Sequence, residues 1–235
     1  MSGPRDQILG GIRRALKRGP LDETERRALA ERLAHPQRNL VPARAASLEA
    51  PARLALFIAM AEEVQTTVTQ VDRAAAVPGA VADYLSRHNL PSRLVVTPDP
   101  ELADIPWAER PMLEIRRGRA EDADAVAVTA CFAGIAETGT LMLISGPESP
   151  TRNNFLPDTH IVVLRRAQLV ASYEDGWARL RDKLRAPDGS VALPRSVNFI
   201  TGPSRTADIE QRIELGAHGP RRLHIVLIAD EGPAA

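Results

Sequence analysis

Four stretches of this chain gather residues that could do chemistry. The first is Ala136-Glu137-Thr138-Gly139-Thr140, set between the apolar runs Ala125–Ile135 and Leu141–Ile144. A carboxylate beside that much apolar surface must be solvated, paired or protonated, so Glu137 is a candidate acid, base or nucleophile. Thr138 and Thr140 bring hydroxyls, and Gly139 can take the positive φ of a tight turn. A plain polar hairpin turn is the competing reading of the same residues.

The second stretch runs from Ser145 to Thr159. Arg152, Asn153 and Asn154 form a donor-rich cluster suited to a carboxylate or phosphate. Asp158 and His160 flank Thr159 where a strand begins, and residues two apart on a strand face the same side. They could be an oriented acid–base pair, two metal ligands or a structural hydrogen bond. A metal would need a further ligand, and no spacing supplies one.

The third stretch is Thr201-Gly202-Pro203-Ser204-Arg205-Thr206-Ala207-Asp208-Ile209-Glu210. A strand running into a Gly-Pro turn, then hydroxyls, then a helix would offer free N–H groups and a helix dipole to an anion. Ser204, Arg205 and Thr206 add donors. Asp208 and Glu210 would fall in the helix's first turn and could answer the dipole themselves. Neither Gly-Lys-Ser/Thr nor Gly-x-Gly-x-x-Gly occurs, so the common nucleotide fingerprints are missing. The fourth stretch, Gly216-Ala217-His218-Gly219-Pro220, reads as close backbone packing, a hinge or a helix C-cap. The candidate catalytic groups are thus Glu137 and His160. The candidate binding groups are Thr138, Gly139, Thr140, Arg152, Asn153, Asn154, Asp158, Gly202, Ser204, Arg205, Thr206 and Asp208.

The elements that must hold these groups follow from periodicity. Ile8, Ile12, Ala15 and Leu16 share a helical face, Gly19-Pro20 ends that helix, and Asp22 to Ala34 gives a second. An irregular stretch, His35 to Ser47, follows. Residues 1–47 therefore read as an N-terminal helical arm and 48–235 as the main domain. Phe57, Met60, Ala61, Val64, Val68 and Val71 predict one amphipathic helix over Leu48 to Val71. Further helices are predicted at Pro78–His88, Tyr173–Leu184 and Ala207–Leu215. Strands are predicted at Arg93–Thr97, Ala125–Ala130, Thr140–Ser145, His160–Leu164, Val197–Thr201 and Leu223–Ile228. The segment Leu102 to Arg119 shows no clear pattern. Near-continuous apolar strands such as Ile161-Val162-Val163-Leu164 suit a sheet covered on both faces, and the alternation argues for an α/β layer fold.

Composition excludes several classes. The 235 residues suffice for a sizeable core, with 44% apolar and 26% charged residues. The 30 basic and 30 acidic residues cancel, which argues against a general nucleic-acid binder. Aromatics are 3%, too few for a single-strand stacking platform. Among the basic residues only Lys17 and Lys183 are lysines, a bias that a GC-rich genome would produce. The single cysteine, Cys131, cannot form an internal disulfide, an iron–sulfur cluster or a Cys-rich zinc site. The longest apolar stretches are shorter than the ~20 residues of a spanning helix, and no secretory leader is apparent, so the expected compartment is the cytoplasm.

Taken in order, the motifs Ala136-Glu137-Thr138-Gly139-Thr140-Leu141, Leu156-Pro157-Asp158-Thr159-His160-Ile161, Gly202–Glu210 and Gly216–Pro220 resemble the LUD-domain family. The likeness is to its lactate-utilisation protein C (LutC, YkgG) branch and covers roughly Leu48 to Ile228. Some branch members carry Asp and Ser where this chain has Glu137 and Thr140, and Val in place of Ala217. The resemblance implies an α/β fold with a mainly parallel sheet and helices on both faces, similar to the NagB/RpiA/CoA-transferase group. It also implies action with two partner proteins that oxidise L-lactate to pyruvate and hold the iron–sulfur clusters. This chain would then bind no cofactor of its own.

Three functional readings follow. In the first, the chain is a non-redox subunit that binds a small anion or a partner through the four loops. In the second, it is an independent enzyme of the CoA-transferase or sugar-phosphate isomerase type using Glu137. In the third, it is an interaction module. The first is preferred, and assembly into a homo-oligomer is compatible with all three.

Overall fold

The computed structural model describes residues 3–17, 19–45, 47–209, 212–216 and 218–229, with the side chains of 206–215 left aside. The chain divides into two compact units, Met1–Asn39 and Leu40–Ala235. The first holds helices α1 (Pro4–Ala15) and α2 (Glu23–Ala34), and neither buries a side chain. Helix α2 starts with a capping box, in which Asp22 accepts from the Glu25 N–H and Glu25 accepts from the Asp22 N–H.

The second unit opens with α3 (Ala50–Glu63) and strand β1 (Thr67–Val71). Sequence periodicity predicts one helix across this whole span; the structure breaks it in two. The chain turns at Gln65, whose φ is +68°. The Gln65 N–H reaches the Glu62 carbonyl and the Thr66 N–H reaches the Ala61 carbonyl, a Schellman closure. Beyond it the β-branched run Thr66-Thr67-Val68-Thr69 prefers an extended backbone. Val68 and Val71 fit the helical spacing only by coincidence.

Helix α4 (Val77–Arg87), β2 (Arg93–Val96), β3 (Glu114–Arg117), β4 (Val126–Ala130), β5 (Ala133–Ile135) and β6 (Thr140–Ile144) follow. Next come α5 (Arg152–Phe155), β7 (Thr159–Arg165), β8 (Leu169–Val170), α6 (Tyr173–Lys183), β9 (Val197–Ile200), β10 (Arg205–Ile209), β11 (Arg212–Leu215) and β12 (Arg222–Ile228). The six-stranded sheet has the order β1-β12-β7-β4-β2-β3. All its pairings are parallel. A second sheet, β8-β5-β6-β9, mixes parallel and antiparallel pairs.

Alternation along the central strands builds two cores. Ile161, Val163, Val226 and Ile228 face α4, while Val162, Leu164, Ile225 and Leu227 face α3 and the small sheet. The small sheet in turn sets Ile135 and Met142 against Leu180 and Trp177 of α6. Helices therefore cover both faces of the parallel sheet, with the small sheet as an added layer.

One predicted helix is absent. The stretch expected to be helical from Ala207 onward instead places β10 (Arg205–Ile209) and β11 (Arg212–Leu215) as an antiparallel pair. Over nine residues the pattern is too short to separate a helix from two short strands. The anion site proposed for that helix's N-terminus loses its basis. Among the described residues, no helix is long and apolar enough to cross a membrane.

Candidate functional site

The parallel strands begin beside the first candidate cavity. It encloses about 250 Å³ and is walled by Phe155, His160, Phe199–Arg205, His218–Pro220 and Leu223. His160 and Leu223 sit at the amino ends of β7 and β12. Arg205 and His218 lie on either side of the hairpin, so the third and fourth sequence stretches meet across one hollow.

Ser204 ties that crossing together. Its N–H donates to the Pro220 carbonyl, its carbonyl accepts from the Gly216 N–H, and its Oγ accepts from the His218 N–H at 3.3 Å. The Arg205 guanidinium donates to the Val64 carbonyl at 3.2 Å, capping the C-terminal end of α3. His160 is fully buried, and its Nε2 lies 2.8 Å from Thr129 Oγ1. Its Nδ1 has no hydrogen-bond partner. Burial holds its pKa down at about 3, so the imidazole is neutral at physiological pH.

The Glu137 loop reaches this cavity through hydroxyls. Glu137 is buried, and its Oε1 accepts from the Tyr173 N–H at 2.9 Å, in the first turn of α6. Its Oε2 has no partner. No arginine pairs with it among the described residues. A carboxylate there answers the positive end of the helix dipole. The Tyr173 hydroxyl in turn lies 3.2 Å from Thr138 Oγ1 and 3.0 Å from Thr140 Oγ1. Thr140 Oγ1 is 2.6 Å from Thr201 Oγ1, and Thr201 is part of the cavity wall.

Two glycines hold both loops on the end of α3. A Cβ on Gly139 would fall 2.2 Å from the Ala61 nitrogen, and one on Gly202 would fall 2.6 Å from the Val64 carbonyl oxygen. Both also have positive φ, +63° and +76°.

Other predicted groups lie apart. Arg152 is ion-paired to Asp122 outside the cavity. Asn153 is fully buried and braces the loop before β4, accepting from the Ala120 N–H at 2.8 Å and donating to the Gly118 carbonyl at 2.9 Å. Asn154 is buried beside it on α5. Asp158 is exposed and stands 3.9 Å from Arg221. It makes no hydrogen bond to His160, so the two are not a pair. Among the described residues, no three His, Cys, Asp or Glu side chains gather to hold a metal. The side chains of Thr206 and Asp208, and all of Glu210 and Ala217, lie outside the described residues.

Sequence reasoning missed Tyr173 and the aromatic walls Phe155 and Phe199. Thr201 opens the third stretch but carries no role in that reading. Tyr173 comes 36 residues after Glu137 with no local signal.

Comparison with known proteins gives a consistent picture. The model of the LUD domain matches residues 54–228. A protein named Lactate utilization protein C from Deinococcus radiodurans is 34% identical over 163 residues, 66% of this chain and 70% of that protein. The one of the same name from Geobacillus sp. (strain WCH70) is 32% identical over 105 residues, 45% of this chain and 42% of its own length. The matched region thus spans less than half of that relative. The crystal structure of a DUF162 family protein from Deinococcus radiodurans superposes with a TM-score of 0.56 at 28% identity, covering 77% of this chain and 99% of the other.

Proposed function

We propose, from the premise that this chain belongs to the LUD-domain family, that it serves lactate utilisation as a non-redox subunit. In this reading it works beside iron–sulfur proteins that carry the electrons from L-lactate to pyruvate. The relatives named for lactate utilisation support the process. A lone, buried Cys131 offers no thiolate set for a cluster, which supports a reading in which the redox centres belong to partners.

The observation that carries the site is the hollow where His160, Ser204, Arg205 and His218 converge. It suits a small carboxylate. Arg205 supplies a guanidinium whose remaining N–H groups can meet an anion. Ser204 and Thr201 supply hydroxyls, and neutral His160 supplies a ring nitrogen without bringing charge. Glu137 acts from behind, fixing Tyr173 and with it the hydroxyl chain Thr138–Tyr173–Thr140–Thr201.

Three measurements test this. Tagged protein should co-purify with iron–sulfur subunits, and a clean deletion in the native host should abolish growth on lactate. Normal growth of the deletion strain removes the reading. In a thermal-shift panel, lactate or pyruvate at about 100 times its Kd should stabilise the protein by about 2.7 kcal/mol. Arg205→Gln should erase that shift. A mass increase on Glu137 after incubation with an acyl-CoA would instead favour a transferase.

A further inference from the structure

A second hollow lies at the opposite end of the parallel sheet, and of the four stretches only the Ser145–Ser149 end of the second reaches it. It encloses about 280 Å³ and is walled in part by Asp99, Glu101, Phe132, Gln168, Arg179 and Lys183. Asp99 follows β2, Phe132 follows β4 and Gln168 follows β7, so the hollow opens at the carboxyl ends of these strands. An adjoining hollow of about 240 Å³ shares Asp99, Glu101 and Lys183 with it.

The topology singles out this place. From β2 the chain moves outward to β3 at the sheet's edge; from β4 it moves the other way, to β7 and then β12. Between the neighbours β2 and β4, successive connections leave in opposite directions. In open parallel sheets that crevice, outside the carboxyl ends of the strands, is where ligands bind.

The charges around it are of both signs and do not neutralise one another. Among the described residues, neither Arg179 nor Lys183 forms an ion pair. Instead the structure holds both against the Phe132 ring, 5.8 Å and 5.5 Å from its centroid. Arg179 also donates to the Ala167 carbonyl at 2.9 Å. Across the hollow, Asp99 accepts from the Ser149 hydroxyl and Glu101 accepts from Gln168 at 3.4 Å. These carboxylates keep acceptor capacity to spare. Lys183 is one of only two lysines among 30 basic residues.

We propose that this crevice is a second ligand site, taking a small hydroxylated anion. Its acid group, carboxylate or phosphate, lies between Arg179 and Lys183. Its hydroxyls donate to Asp99 and Glu101 and accept from Gln168. The size of the hollow limits the ligand to a few carbons. This site does not depend on the lactate reading, which stands or falls on growth and co-purification.

Calorimetric titration of the full chain tests it, with glycerate and glycerol 3-phosphate as probes and propionate as the unhydroxylated control. At least one probe should bind about tenfold tighter than propionate, and the tighter one identifies the acid group. Lys183→Glu should weaken that probe at least about tenfold, and Asp99→Asn should cancel the preference for hydroxyls. Both positions are at least partly exposed, and unchanged melting temperatures will show that the variants fold. Arg205→Gln, in the other cavity, should change binding less than about twofold. Failure of both probes to bind, or loss through Arg205→Gln with Lys183→Glu unaffected, would overturn the proposal.

Discussion

At the scale of the residue, the signature charges serve helix ends as well as the hollow. Glu137 sits at the N-terminus of α6 and Arg205 at the C-terminus of α3, each with the sign its dipole favours. Glu137→Ala should therefore cost about 1–2 kcal/mol in urea unfolding, the magnitude of a lost cap. Glu137→Gln keeps an acceptor for the Tyr173 N–H and should cost less than about 1 kcal/mol. A Gln variant as unstable as the Ala variant would mean that charge carries the contact, not the acceptor. The buried histidines give a second prediction. Burial holds His160 at a pKa of about 3 and His224 at about 4, against 6.5 for a free imidazole. As pH falls below 6.5 the unfolded chain takes up protons that the folded chain refuses, so stability declines toward pH 4. Each histidine contributes up to about 1.4 kcal/mol per pH unit, and neither contributes a slope above about pH 7.5. Urea midpoints at pH 7.5, 6 and 5 will show it; a flat profile between 7 and 5 rejects it.

At the scale of the element, the end of α3 organises the site. The Glu137 and Gly202 loops both press backbone against it, and glycine alone leaves room. Gly139→Ala should destabilise by at least about 2–3 kcal/mol, since its Cβ would enter the Ala61 backbone and its φ is positive. Gly146 has open space where a Cβ would go, so Gly146→Ala should stay within about 0.5 kcal/mol. Equal effects at the two positions would remove α3 as the support. Much of this scaffold was legible in the residues. The apolar runs of β4, β7 and β12 announced a covered parallel sheet, and the helix predicted over Tyr173–Leu184 is α6. The small sheet was not legible, because β5 has three residues and β8 two, too short for a period to show. The hairpin β10–β11 was not legible either, because strands of five and four residues are too short to separate from a helical run. Arg152 shows a related limit: spacing supplies donors, while only the fold reveals that Asp122 meets this one.

At the scale of the whole molecule, the N-terminal unit contributes helices without a core. Its apolar residues face solvent, with Ile8 65%, Leu16 60% and Leu33 82% exposed. Helices of 12 residues are marginal in water even with good caps, and α1 and α2 bury nothing. By themselves these two helices should accordingly be only weakly stable. Residues 40–235 hold their own apolar cores, so a chain beginning at Leu40 should fold by itself and unfold cooperatively in urea. The same truncation separates the arm's role from the domain's. If the exposed Ile8–Ile12–Leu16 face docks a partner, the shortened chain will keep its fold and its ligand-induced thermal shifts while losing co-purified subunits. If the arm covers its own domain, the shortened chain will unfold at lower urea or aggregate. If it does neither, stability and capture will both persist, and partner binding must then be sought on residues 40–235, beginning with the rims of the two hollows at opposite ends of the parallel sheet.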